Sequence, residues 1–326
     1  MKADLINKQK FPRTYREFVD KFHNDAACLA YLEKLRWPEH FCCPKCKSLK
    51  NPWRQTRGRF VCSDCKYEVS VTSGTIFDRT RTPLTTWFEA AWHVTTAKNG
   101  FSAKTLERTL GVCYRTSWMI LQRFRVAMVR SERKPLSGTV EIDESLLGGV
   151  KVGGKRGRGS VKKIIAIAVE VLEPKGFGRV RMKCIPDASE DSLLPFIDEA
   201  VAKGTRIHTD GWSGYHNLSQ KGYEHDVTVL SSSGDPAHVS MPAVHRIASL
   251  LKRWILGTHQ GSVSYDHIQS YLEEYTFRFN RRNSGSRGHL FRRLMEQAVV
   301  TEPIRVDDIT HGYNWKPLDV VATGFK

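Results

Sequence analysis

A chain of 326 residues is too long for one minimal domain, so two or three folding units with a substantial core are expected. Lys and Arg outnumber Asp and Glu by 51 to 34, a formal net charge of +17 spread over several segments, which makes a polyanion, and nucleic acid first among polyanions, the expected partner. No apolar run approaches spanning length and the polar start MKADLINKQK lacks the apolar stretch of a signal peptide, so a membrane or exported protein is the poorer reading and a cytoplasmic one is expected.

In chain order, the spacing of Cys28, Tyr31, Leu32 and Leu35 predicts a short helix over residues 25–36, with Asp25 as its N-cap and Pro38 just past its end. Next come Cys43-x-x-Cys46 and Cys62-x-x-Cys65, two pairs separated by fifteen residues. In a reducing compartment such pairs point to a tetrahedral structural zinc site rather than disulfides, held on a ribbon of short strands that ends near Val71. Cys42 is the local competitor, and Cys28, Cys113 and Cys184 sit in apolar periodic segments as expected core.

Residues 85–97 read as a helix, followed by a helix over 103–110, a break at Gly111-Val112 and a helix over 114–130 that carries Arg115, Arg123 and Arg125 beside Trp118, Leu121 and Phe124. This is a helix-turn-helix pattern able to enter a major groove, or an ordinary helical hairpin; the spacing leaves both open.

After a polar link at 131–137 the period changes from helical to strand-like. Strands are predicted over 139–144, 163–172 and 179–185, then a helix over 190–202, a fourth strand over 205–209 running into Asp210, and helices over 243–255 and 265–280. Between the first two strands lies GGVKVGGKRGRGSVKK. Gly149-x4-Gly154-Lys155 nearly matches a phosphate loop, but Arg156 stands where Ser or Thr is required and a strand follows instead of a helix. A basic hairpin that follows a DNA backbone with Lys155, Arg156 and Arg158 is the better reading; a plain solvated loop is the alternative.

Three strands, a helix, a fourth strand and later helices form the coarse signature of an RNase H-like mixed-sheet domain, whose carboxylates sit mid-way along the first strand, at the end of the fourth and on a late helix. Asp143, within Val-Glu-Ile-Asp-Glu-Ser, and Asp210, within His-Thr-Asp-Gly-Trp-Ser-Gly-Tyr, occupy the first two positions. Carboxylates on neighbouring strands can hold two Mg²⁺ or Mn²⁺ ions about 4 Å apart, the arrangement for an in-line phosphoryl displacement. On the late helix, Val244, Ile247, Ala248 and Leu251 form the apolar stripe, which leaves His245, Ser249 and Lys252 together on another side.

Here the chain resembles the DDE transposases, whose late helix carries a Glu and, seven residues on, a Lys or Arg. It is most similar to the bacterial insertion-sequence transposases of family fifteen-ninety-five, which place a zinc ribbon before this domain. The resemblance runs from Tyr15 to about Val299, and its most specific part is the tract HRIASLLKRWILGTHQG with the later Tyr-Leu-Glu-Glu-Tyr and Phe-Arg-Phe-Asn-Arg-Arg runs. It implies Asp143, Asp210, His245 and Lys252 as catalytic residues, Lys252 and Arg253 on DNA, and a nucleoid-associated location, while the helix-turn-helix reading adds Arg115 and Arg123 as expected DNA contacts. The departure is His245 where the third carboxylate would stand, since imidazole is a poor Mg²⁺ ligand and a better one for Mn²⁺; Glu273 and Glu274 are the substitutes should the third position lie elsewhere.

The expected organisation is an N-terminal helical segment (1–38), a zinc ribbon (39–82), a helical DNA-binding region (83–135), the RNase H-like catalytic domain (136–300) and a C-terminal tail (301–326). The expected activity is metal-dependent cleavage at the terminal inverted repeats of an insertion sequence and strand transfer into target DNA. Its partners would be double-stranded DNA and, when two ends are paired, further copies of the chain. The rivals are a non-catalytic DNA-binding regulator descended from a transposase, and a nuclease or resolvase without strand transfer.

Overall fold

The structure, a computed structural model, describes residues 11–130, 132–148, 162–174, 176–228, 240–261 and 263–310, with the backbone alone for Arg57 and Tyr265. The chain divides into two compact units, Met1–Ser131 with Asn283–Lys326, and Glu132–Arg282.

The first unit opens with α1 (Tyr15–Lys21) and α2 (Asp25–Arg36). The N-cap of α2 is Asn24, whose side chain accepts from the Ala27 amide, and not Asp25 as the sequence suggested. Asp25 instead accepts from the backbone and hydroxyl of Thr85 at 3.0 and 3.2 Å, tying α2 to the start of α3 (Leu84–Thr96), a helix whose own N-cap is Pro83. Between α2 and α3 lie β1 (Trp53–Gln55), β2 (Arg59–Val61) and β3 (Glu68–Ser70), a three-stranded antiparallel sheet. Then come α4 (Ala103–Leu110) and α5 (Tyr114–Ala127).

The second unit holds one five-stranded sheet built from β4 (Thr139–Leu147), β5 (Lys163–Val171), β6 (Phe177–Ile185), β7 (Arg206–Asp210) and β8 (Glu224–Thr228), in the order β6-β5-β4-β7-β8. The first three strands are antiparallel, while β7 runs parallel to β4 and β8 parallel to β7. With α6 (Glu190–Ala200) between β6 and β7, this is the RNase H-like topology.

Burial on both faces explains the sequence of β5. Ile164, Ala166 and Ala168 face a core with Leu193, Phe196 and Ile197 of α6, while Ile165, Ile167 and Val169 face Val244, Ile247 and Leu251 of α7 (Pro242–His259) and Leu272 of α8 (Ile268–Phe279). A central strand covered on both sides reads as a continuous apolar run. An alanine at Ile247 or Leu251 would cost about 2–5 kcal/mol. Near the β6 edge, Glu170 accepts from the Arg179 amide and guanidinium; an added Cβ on Gly178 would lie 2.7 Å from the Glu170 Cβ and Oε2, so only glycine fits there.

The second unit ends at Arg282, and α9 (Arg287–Ala298) belongs to the first. Its Phe291 is fully buried against Phe18, Phe22 and Phe88, with ring centroids 5.5, 5.6 and 5.9 Å apart. Ile304 and Ile309, the latter on α10 (Val306–Thr310), are buried with Val126 of α5. β8 was not anticipated at all. It is an edge strand with Val227 about half exposed, so it shows no apolar alternation for a sequence reading to detect.

Candidate functional site

The two cysteine pairs form matching turns. In the first, the Lys47 amide bonds the Cys43 carbonyl and the Cys43 amide bonds Ser48; in the second, Lys66 and Cys62 do the same with Cys62 and Tyr67, all at 2.9–3.1 Å. Lys47 and Lys66 both take a left-handed conformation, with φ of 60° and 56°. These turns aim four sulfurs inward, all within 4.8 Å of one another, with Cys43–Cys65 and Cys46–Cys62 each 3.6 Å apart. Sulfurs about 2.3 Å from a tetrahedral zinc lie about 3.8 Å from each other, so the donor set fits that ion. Among the described residues this is the group of three or more ligand-bearing side chains close enough to share one ion.

Of the other cysteines expected in the core, Cys28 is buried, Cys184 is half-buried and Cys113 is exposed. Cys113 is the residue just ahead of α5, a position the apolar spacing could not distinguish from the helix interior.

In the second unit, strand alternation decides which side chains meet. On β4, Val140, Ile142 and Leu146 face α6, so Asp143 faces the α7 side with Glu141. On β7, Ile207 faces α6 and is paired with Val140, so Asp210, three residues on, faces the α7 side as well. The parallel pairing of β4 with β7 ends at Glu141↔His208, and Asp143 and Asp210 each lie two residues past that last pair on the neighbouring strands.

The third expected member approaches from α7: His245 Nδ1 lies 3.7 Å from Asp143 Oδ2, with 28% and 17% of the two side chains exposed. That is too long for a direct hydrogen bond and short enough for both groups to act on one cation or phosphate oxygen. Lys252 and Arg253, further along α7, are exposed. The substitutes for the third position are committed elsewhere: Glu273 pairs with Arg133 and accepts from Gln269, and Glu274 is fully buried.

The loop after Asp210 is fixed by its own residues. Asp210 Oδ1 accepts from the Trp212 amide at 3.1 Å, and Trp212 Nε1 donates to the Ala188 carbonyl at 2.7 Å. A Cβ on Gly214 would meet that same carbonyl at 2.7 Å, which explains the glycine in the Asp-Gly-Trp-Ser-Gly-Tyr run. Tyr215 is then buried beneath the sheet and donates its hydroxyl to the Glu144 carboxylate. Burial, and after it the negative charge of Glu144, Asp143 and Asp210, holds the phenol far above its ordinary pKa, so it remains a donor. Sequence reading passed over Tyr215, although its place five residues after Asp210 was visible.

The expected DNA-contacting residues divide. Arg115 lies exposed in the first turn of α5 beside Tyr114, which is 51% exposed. Arg123 has a half-buried guanidinium that donates to the carbonyls of Ile76 and Ile304 at 3.4 and 3.5 Å. Lys155, Arg156 and Arg158 lie outside the described residues.

Residues 135–280 match the model of the ISXO2-like transposase domain and residues 23–68 that of the transposase zinc-ribbon domain. An uncharacterized protein in transposable element ISH50 of Halobacterium salinarum is 27% identical over 282 residues, covering 80% of this chain and 92% of its own length. The crystal structure of the catalytic core domain of BIV integrase aligns at 18% identity over 47% of this chain and 90% of its own, with a TM-score of 0.31, too low to add to what the strand order already establishes. No helix among the described residues is long and apolar enough to cross a membrane. With a zinc-ribbon domain ahead of a DDE-type catalytic domain on one polypeptide, the chain belongs to the insertion-sequence transposases of that architecture.

Proposed function

We propose that this transposase binds the terminal inverted repeats of its own element, cuts the DNA there and transfers the freed ends into target DNA. The observation that carries the reading is the placement of Asp143 and Asp210 on one face of adjacent strands, with His245 3.7 Å from Asp143. Asp143, Asp210 and His245 would hold divalent cations, Mg²⁺ or Mn²⁺. When bound, such ions supply charge neutralisation at the scissile phosphate and activation of the attacking hydroxyl.

The protein's own groups do the rest. The two carboxylates set where charge accumulates, Tyr215 keeps Glu144 turned to the far face, and the Trp212 amide holds Asp210 in orientation. Exposed Lys252 and Arg253 would lie along the phosphate backbone and fix the register of the scissile bond. In the first unit the ribbon, with zinc on Cys43, Cys46, Cys62 and Cys65, and the exposed start of α5 with Arg115 would recognise the element's ends; recognition helices meet base edges through such N-terminal residues. Two copies would be needed to pair two ends, acting on the nucleoid.

The test is to incubate the purified chain with labelled element ends, target plasmid and Mg²⁺ or Mn²⁺. A 3′-end nick and a joined product are expected. Binding without nicking would make it a regulator, and nicking without joining a nuclease or resolvase; either would overturn the proposal.

A further inference from the structure

Glu141 sits on β4 two residues before Asp143, on the same face of the sheet, and is only 4% exposed. A carboxylate this deep is costly unless its oxygens are engaged. Its Oε2 accepts from the Val244 amide at 2.9 Å, and the Ala243 amide bonds to it as well. These are first-turn amides of α7, a helix that begins with Pro242 after Met241 and has no capping side chain of its own. The first-turn amides of any helix lack partners within it, and an acceptor there also meets the positive end of the helix dipole. Here the acceptor comes from the sheet, more than 100 residues earlier in the chain.

The location matters because His245 directly follows Val244. Strand β4 thus meets the start of α7 twice on successive same-face residues, Glu141 at the backbone and Asp143 at the His245 ring. Rotation of α7 about its axis by one residue would turn the ring by roughly 100° away from the carboxylate. We propose that Glu141 is a positioning residue, a cap supplied by the sheet that fixes the rotation and height of the first turn of α7 and so sets His245 against Asp143. The proposal rests on Asp143 and His245 acting together in DNA cleavage.

The experiment uses the full chain with Glu141 replaced by Gln, Asp or Ala. Gln retains an acceptor oxygen at the same reach, Asp falls one methylene short of the amides, and Ala has none. Hydrogen exchange of the segment spanning 241–247 should quicken by about tenfold or more in the Asp and Ala proteins and stay close to wild type in the Gln protein. Cleavage of element ends in Mg²⁺ should fall about ten- to hundredfold for Asp and Ala with end binding unchanged, and Gln should restore it to within a few-fold. The ratio of Mn²⁺- to Mg²⁺-supported cleavage should change in Asp and Ala, which a general loss of stability would not produce.

Unchanged exchange in the Asp protein, or a Gln protein as inactive as Ala, would overturn the proposal; the second outcome would mark Glu141 as a direct metal ligand. If Ala does not fold, the contrast of Asp with Gln decides. If the wild-type chain cleaves nothing, the functional reading fails alone, and the exchange measurements still show whether Glu141 holds the turn.

Discussion

The zinc ribbon and the proposed carboxylate site draw their residues from very different lengths of chain. The four cysteines span Cys43 to Cys65, and each pair is shaped by bonds within its own turn. Asp143, Asp210 and His245 come from two strands and a helix; alternation across the sheet turns the two carboxylates to one face, and the packing of α7 sets His245 near Asp143. A local site fails when a ligand is removed, because the small ribbon has little core to fall back on. A dispersed site can lose its chemistry while the fold survives, because the core that positions it is made of other residues.

The largest effect should come from removing charge at the dispersed site. Asp143→Asn and Asp210→Asn should each lower cleavage by roughly a thousandfold or more while end binding stays within a few-fold and the melting temperature hardly moves. Near wild-type nicking in either variant would mean that the site is misplaced.

Cys62→Ser should give the opposite pattern. Zinc measured by elemental analysis should drop from about one per chain to well below one, with loss of end binding and of protease resistance in 40–70. Full retention of zinc would transfer the ligand role to Cys42.

A third prediction concerns the frame of the catalytic unit. Burial pushes the Glu170 carboxyl up, but hydrogen bonds from the Arg179 guanidinium and from the amides of Arg179 and Ser137 outweigh it and hold the pKa below the usual carboxylate range. Because the folded-state pKa is depressed, this contribution is complete above about pH 4.5, the ordinary value, and is lost as pH falls through the folded-state value. Glu170→Gln should cost about 2–3 kcal/mol in denaturant unfolding at neutral pH and less at pH 3; an equal cost at both would separate the effect from charge.

The smallest effect should appear at the third position. His245→Glu should preserve or raise Mg²⁺-dependent cleavage, whereas His245→Ala should lower it by about tenfold in Mg²⁺ and less in Mn²⁺. An Ala variant unchanged in both metals would remove His245 from the site.

Much of this was legible from residue patterns. The paired cysteines, the apolar run of β5, the alternation of β6 and the stripe of α7 each follow from a short-range periodicity, and the positions of Asp143 and Asp210 follow from element order. What the patterns could not carry was any choice between equivalent local readings. Asn24 and Asp25 are both good caps, and only the position of Thr85 shows that Asp25 serves another helix. Arg115 and Arg123 are two arginines on one helix, and only the tertiary structure shows that Arg115 is exposed while Arg123 reaches the carbonyls of Ile76 and Ile304.

The sequence by itself determined the type of each strongly periodic element and the ligands of the ribbon, because both depend on separations of a few residues that backbone geometry converts directly into shared faces. The tertiary structure alone decided that β8 extends the sheet, that α9 returns to the first unit, and that Glu141 caps α7. Those outcomes depend on which distant groups share a burial site, and the free energy that selects them comes from packing and from satisfying buried polar atoms, neither of which has a short-range signature.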